Sequence, residues 1–77
     1  IFVDDDDPLL YYRVVSKFAR THLDVGGSLF FEINRAYGND VAHILVEMGF
    51  GDVEIIKDMA CNDRFVKCRR QNDINTK

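Results

Sequence analysis

Asp58, Asp63 and Arg64 are the strongest local polar constellation in this 77-residue chain. A guanidinium presents a planar fork that matches a carboxylate in bidentate fashion. Arg64 is therefore expected to take a carboxylate partner that fixes the connection between two strands. Glu32 and Asn34 come next. Glu32 stands near the carboxyl end of an apolar run over residues 28–33, the edge at which ligands of open α/β sheets gather. A structural carboxylate accepting loop hydrogen bonds is the other reading of Glu32.

The remaining reactive side chains point to structure. Asp4, Asp5, Asp6 and Asp7 precede Pro8; hard cations favour carboxylates, but the spacing is not that of an EF-hand, and the run suits the positive end of a helix. Gly26-Gly27 precede a strand and not a helix, so they read as a tight strand entry and not a phosphate loop. His22 and His43 have no nearby partner at ligand spacing, and Cys61 and Cys68 lack a second pair to complete a zinc site. Lys67, Arg69 and Arg70 read as a solvated strand end. No residue is assigned as catalytic, cofactor-binding or metal-ligating; Glu32, Asn34, Asp58, Asp63 and Arg64 are the candidates for a substrate rim or a structural role.

Positioning these groups requires a small folded domain. Hydrophobic residues make up 47% of the chain and charged residues 30%, the balance of a globular protein, and the length allows one core. Thirteen acidic against ten basic side chains leave a net charge of -3, which argues against a nucleic-acid surface. No apolar run is long enough to span a membrane, and two cysteines are too few for a disulfide scaffold, so a cytoplasmic setting is expected.

Leu10, Val14 and Phe18, extended by Leu23 and with Tyr11, Val15 and Ala19 beside them, predict a helix from Pro8 to residue 22 or 23, with Asp7 as its cap and with Arg13, Ser16, Lys17 and Arg20 on the wetter side. The consecutive apolar residues Leu29-Phe30-Phe31 within 28–33, in place of clean alternation, predict a strand buried on both faces. Residues 34–39 form the connection, with Gly38-Asn39 as its most flexible point. A second helix is expected over about 40–48, ending at Gly49. Val53, Ile55 and Ile56 mark a second strand, and residues 65–68 a third. The order is helix, strand, helix, strand, strand. A helical crossover permits the first two strands to run parallel, and the short return makes the last two antiparallel. The fold class is α/β with a mixed three-stranded sheet, whose apolar first strand would present a hydrophobic edge. Residues 71–77 read as a polar, mobile tail.

The ordered combination Asp7-Pro8-Leu9-Leu10-Tyr11-Tyr12-Arg13, then Val25-Gly26-Gly27-Ser28-Leu29-Phe30-Phe31-Glu32-Ile33, Gly49-Phe50, Lys57-Asp58 and Asp63-Arg64-Phe65-Val66 resembles the C-terminal part of the bacterial release-factor glutamine methyltransferases, the HemK-type protein methyltransferases. The resemblance covers nearly all of residues 2–68. It implies the C-terminal portion of a seven-stranded, S-adenosylmethionine-dependent methyltransferase fold, occupying residues 1–70. The last strand would insert antiparallel between the other two, in the order 28–33, 64–68, 53–57. The activity implied is methylation of the glutamine amide in the Gly-Gly-Gln motif of peptide-chain release factors. The family's glycine-rich cofactor loop and Asn-Pro-Pro-Tyr motif are absent from these 77 residues, so the fragment alone is expected to be inactive and to bind no cofactor. Arg64 and its neighbours would then contact the release factor or an upstream catalytic segment. Two other readings stand beside this one. The chain could be a freestanding interaction module that uses its exposed sheet edge, including for self-association, or a metabolite-binding α/β domain.

Overall fold

The computed structural model describes residues 7–72. The aspartates at 4–6 and most of the predicted tail, residues 73–77, lie outside them. Helix α1 spans Leu10–His22, strand β1 Ser28–Glu32, a single 3-10 turn Arg35–Tyr37, helix α2 Gly38–Glu47, strand β2 Gly51–Lys57 and strand β3 Asp63–Arg69. This is the predicted sequence of elements.

Asp7 is not the cap of α1: the regular helix begins at Leu10, Leu9 holds the cap position and no side chain caps it, while Asp7 shapes the turn that leads in. Its backbone carbonyl accepts from Leu10 N at 3.0 Å, its Oδ1 from Leu9 N at 3.2 Å, and its carboxylate pairs with Arg13. The face that α1 buries is rotated from the centre of the expected one: Val15, Ala19 and Leu23 meet the core as expected. Val14 and Phe18 are exposed, whereas Ser16 and Ala19 are buried, with Tyr12, Val15 and Leu23 packed on the core beside them. The four-residue spacing of Leu10, Val14 and Phe18 marks an apolar stripe, but not the one that meets the sheet. Ser16 tolerates burial because its hydroxyl donates to Tyr12 O at 2.5 Å, satisfying a polar group that would otherwise be costly to desolvate.

The connection before α2 is not a flexible loop. Asn34 Oδ1 accepts from Ala36 N at 2.9 Å, starting the 3-10 turn, and Gly38 is the buried first residue of α2. Val41, Ile44 and Leu45 form the buried stripe of α2. Gly49 follows with φ +90°, a backbone state that glycine adopts without steric cost.

The sheet order is β1-β3-β2, as the resemblance implied. The expected mixed sheet is corrected: both ladders are antiparallel, with Phe31 opposite Val66 and Ile55 opposite Val66. The α2 crossover does make β1 and β2 point the same way. β3 lies between them and takes the hydrogen bonds of both, so no parallel ladder forms among the described residues. A bulge between Gly51 and Glu54 bends β2, with Asp52 at φ 51°.

Both helices pack on one face of the sheet, where Phe31, Val66 and Cys68 join Ala19, Val41 and Leu45 in the core. Burial pushes the Cys68 thiol up to about 11. The double-sided burial expected for β1 is not met. Phe31 is 4% exposed and its neighbour Phe30 59%, because no helix among the described residues covers the second face.

Candidate functional site

Four of the five candidate residues converge at one end of the sheet. Asn34, Asp58, Asp63 and Arg64 line a concavity of about 300 Å³ together with Ile33, Arg35 and Asn62. The fold brings them there because β1 ends beside the start of β3, where Ile33 N donates to Arg64 O at 3.0 Å. Glu32 stands at the rim, its carboxylate 3.9 Å from the Arg64 guanidinium.

The individual roles are largely structural. Asp58 organises the β2–β3 turn: its Oδ1 accepts from Ala60 N at 2.9 Å and from Asn62 N at 3.0 Å. These N–H groups, that of Asn62 foremost, hold the Asp58 carboxyl below its ordinary range, with the Arg64 charge adding to the effect. A carboxylate lowered in this way is a poor general base at neutral pH. Within the turn Cys61 adopts φ 67°.

Asp63 accepts from Lys57 Nζ at 2.5 Å. That hydrogen bond, and next the charge of Asp63, hold the Lys57 ammonium above its ordinary value. Asp63 also sits against the first turn of α2 in the space that a side chain on Gly38 would fill, where a carboxylate is favoured by the helix dipole.

Arg64 departs from expectation. Its carboxylate neighbour is Glu32 across the strands, not Asp58 or Asp63, and both side chains of that contact are largely exposed. The predicted bidentate clamp on the hairpin is therefore not formed; Asp58 closes the turn instead. Arg35, which carried no motif signal, reaches from the 3-10 turn to Asn62 Oδ1 at 3.3 Å. Lys57 and Gly38 were likewise not legible as partners of Asp63, because they lie six and twenty-five residues away from it in the chain. Tyr12 packs edge-on to Phe31 with ring centres 5.2 Å apart. Burial raises its phenol above the ordinary value, while a hydrogen bond to the Asn34 backbone works in the opposite direction.

Two members of the basic stretch after Phe65, Lys67 and Arg70, have partners. Lys67 lies 3.6 Å from Glu54, and Arg70 Nε donates to Arg20 O at 2.5 Å. Gly26-Gly27 behave as a strand entry: Gly26 N donates to Arg70 O and Arg70 N to Gly27 O, each at 2.8 Å. Among the described residues no group of three or more His, Cys, Asp or Glu could hold a metal ion, and no helix is long and apolar enough to cross a membrane.

This geometry offers recognition, by carboxylates, guanidiniums and amides around a shallow polar concavity. Comparison with known proteins gives the chain relatives. The chain is 41% identical over 70 residues to the release factor glutamine methyltransferase of Bacteroides thetaiotaomicron, covering 91% of this chain and 25% of that protein. By sequence, the chain belongs with the release factor glutamine methyltransferases. The corresponding protein of Flavobacterium psychrophilum is 37% identical over 67 residues, 87% of this chain and 24% of the relative. That of Clostridium botulinum is 42% identical over 64 residues, 83% of this chain and 23% of the relative. The chain thus spans about a quarter of the length of the release factor glutamine methyltransferases it matches. No family model matches it, and no solved structure does.

Neither the glycine pair nor the concavity at the β1 end fits a cofactor cradle. The glycine pair is tied into the sheet through Arg70, and the concavity at the β1 end is lined by charged and amide side chains, of which Asn34 and Asp58 are engaged in turn formation.

Proposed function

We propose that this chain is the C-terminal portion of a protein-glutamine methyltransferase. The whole protein would use S-adenosylmethionine to methylate the Gly-Gly-Gln glutamine of peptide-chain release factors, acting in the cytoplasm. The observation that carries the proposal is the match to relatives of that name over 91% of the chain but only 25% of the relative. The cofactor loop and the amide-holding motif belong to the remaining three quarters, so residues 1–70 supply a structural portion of the methyltransferase domain and are inactive alone.

The surface left open supports this reading. Tyr11, Val14 and Phe18 form an exposed apolar stripe on α1, and Phe30 is exposed on β1. Tyr11 also lies edge-on to Phe31, with ring centres 6.3 Å apart, so the stripe adjoins the free edge of β1. An apolar helix stripe beside an unpaired strand suits further strand and helix from the same domain.

The test is co-expression of this chain with the remaining three quarters of the Bacteroides thetaiotaomicron relative, followed by methyl transfer from S-adenosylmethionine to a release factor. The pair should transfer methyl groups, and neither piece alone should. Tight, saturable binding of S-adenosylmethionine by the isolated 77-residue chain in calorimetry would overturn the assignment of the cofactor site to the missing portion.

The free β1 edge also favours a second reading, an interaction module that recruits a partner strand or a second copy. The bonds Ile33 N to Arg64 O and Arg70 N to Gly27 O set the alternation: the backbone groups of Leu29, Phe31 and Ile33 face β3, leaving those of Ser28, Phe30 and Glu32 for an incoming strand.

A further inference from the structure

Arg35 and Arg64 are under-used where they stand. Arg35 makes one hydrogen bond, at 3.3 Å, to the neutral Asn62 amide. Arg64 has Glu32 at 3.9 Å, beyond hydrogen-bond range, with the Arg64 side chain 54% and the Glu32 side chain 71% exposed. A guanidinium has five donors, so most of those of both residues remain available. Both line the same concavity.

The carboxylates beside them are partly committed elsewhere, although the Arg64 charge already acts on Asp58. Asp58 Oδ1 is engaged by two turn N–H groups, and Asp63 by Lys57. Their charges still matter, because they disfavour a dianion in the same space. A singly charged, planar carboxylate suffers less repulsion and matches the guanidinium fork. The concavity, about 300 Å³, sits at the small end of ligand pockets, and its charged lining is unlike the apolar walls that enclose small molecules. It suits one side chain presented by a larger surface.

We propose that Arg35 and Arg64 form a docking site for an acidic side chain, glutamate or aspartate, of a partner polypeptide. Glu32 is the internal competitor that holds Arg64 loosely until the partner carboxylate displaces it. Asn62, already in contact with Arg35, orients that guanidinium across the concavity. The site does not depend on the methyltransferase reading, since its residues all lie within this chain.

The experiment is titration of the isotope-labelled 77-residue chain, followed by amide NMR, with acetyl-Gly-Gly-Glu-Gly-Gly-amide, its glutamine counterpart and inorganic phosphate. The glutamate peptide should give saturable shifts confined to residues 33–36 and 58–64. The glutamine peptide should bind at least about tenfold more weakly, a difference of about 1.4 kcal/mol. R35Q and R64Q should each weaken glutamate-peptide binding about tenfold while keeping the dispersed spectrum of the folded chain. R64K should fall between R64Q and the parent, because it keeps the charge and loses the fork. E32Q should tighten binding several-fold by freeing Arg64. Equal binding of the two peptides, shifts elsewhere on the surface, unchanged binding in R35Q and R64Q, or no binding at all would overturn the proposal. Tighter binding of phosphate than of the peptide would also overturn it, by identifying a phosphate site.

Discussion

Single side chains at the end of the sheet carry opposite kinds of consequence. Asp58 is held charged by turn N–H groups that accumulate on one oxygen. Its carboxyl lies below the ordinary 3.8, so the folded chain binds fewer protons there than the unfolded chain. The stabilisation is complete above the unfolded value and is lost as pH falls through the folded one. Asp58→Ala should therefore lower the urea midpoint at pH 7, and the gap from the parent should shrink steadily below pH 4. Equal gaps at pH 7 and pH 2 would show that the charged state is not what matters. Gly38 acts through space. Glycine to alanine inside a helix ordinarily gains up to about 1 kcal/mol, but a Cβ here would lie 2.9 Å from Asp63 Cγ. Asp63 cannot retreat without leaving Lys57, so overpacking, typically about 1–3 kcal/mol, decides the sign. Gly38→Ala should be destabilising in denaturant titration.

At the scale of elements, α1 separates apolar periodicity from burial. It carries more apolar side chains than one face can hold, and two candidate stripes overlap at helical spacing. Contact with α2 and the sheet selects the stripe through Tyr12, Val15 and Ala19 and leaves Phe18 62% exposed. Phe18→Ser in the isolated chain should therefore change unfolding free energy by only about 0.5 kcal/mol, as at an ordinary surface position. Leu45, fully buried on α2, should cost about 2–5 kcal/mol when cut to alanine. A large loss in Phe18→Ser, measured by urea unfolding at low protein concentration, would mean that α1 is rotated from the described orientation or that the stripe is already covered. The two predicted errors of burial, at α1 and at β1, share this origin. Both elements are more apolar than this chain's own core requires.

For the whole molecule, that surplus is the main structural fact. Helices cover one face of a three-stranded sheet, while Phe30 on the other face and the stripe on α1 remain open to solvent. We propose that the isolated chain associates through the β1 edge. Sedimentation should then be concentration-dependent, and Phe30→Lys should return the chain toward monomer, since charge on an edge strand opposes pairing. A strictly monomeric parent at high concentration would remove this idea.

Much of the molecule was legible in its residues. The order of elements, the glycine that ends α2 and the family itself follow from local signals: turn chemistry, apolar runs and an ordered set of short motifs. Four of the five candidate site residues flank strand ends that the fold brings together. Their partners were not legible. Arg64 meets Glu32 instead of a neighbouring aspartate, Lys57 and Gly38 accommodate Asp63, and Arg35 enters from a turn that carried no motif. Sequence by itself determined what depends on a few adjacent residues. Tertiary structure alone decided which stripe of α1 is buried, how β3 displaces a parallel pairing, and which charges meet, because each of these is set by contacts between segments far apart along the chain.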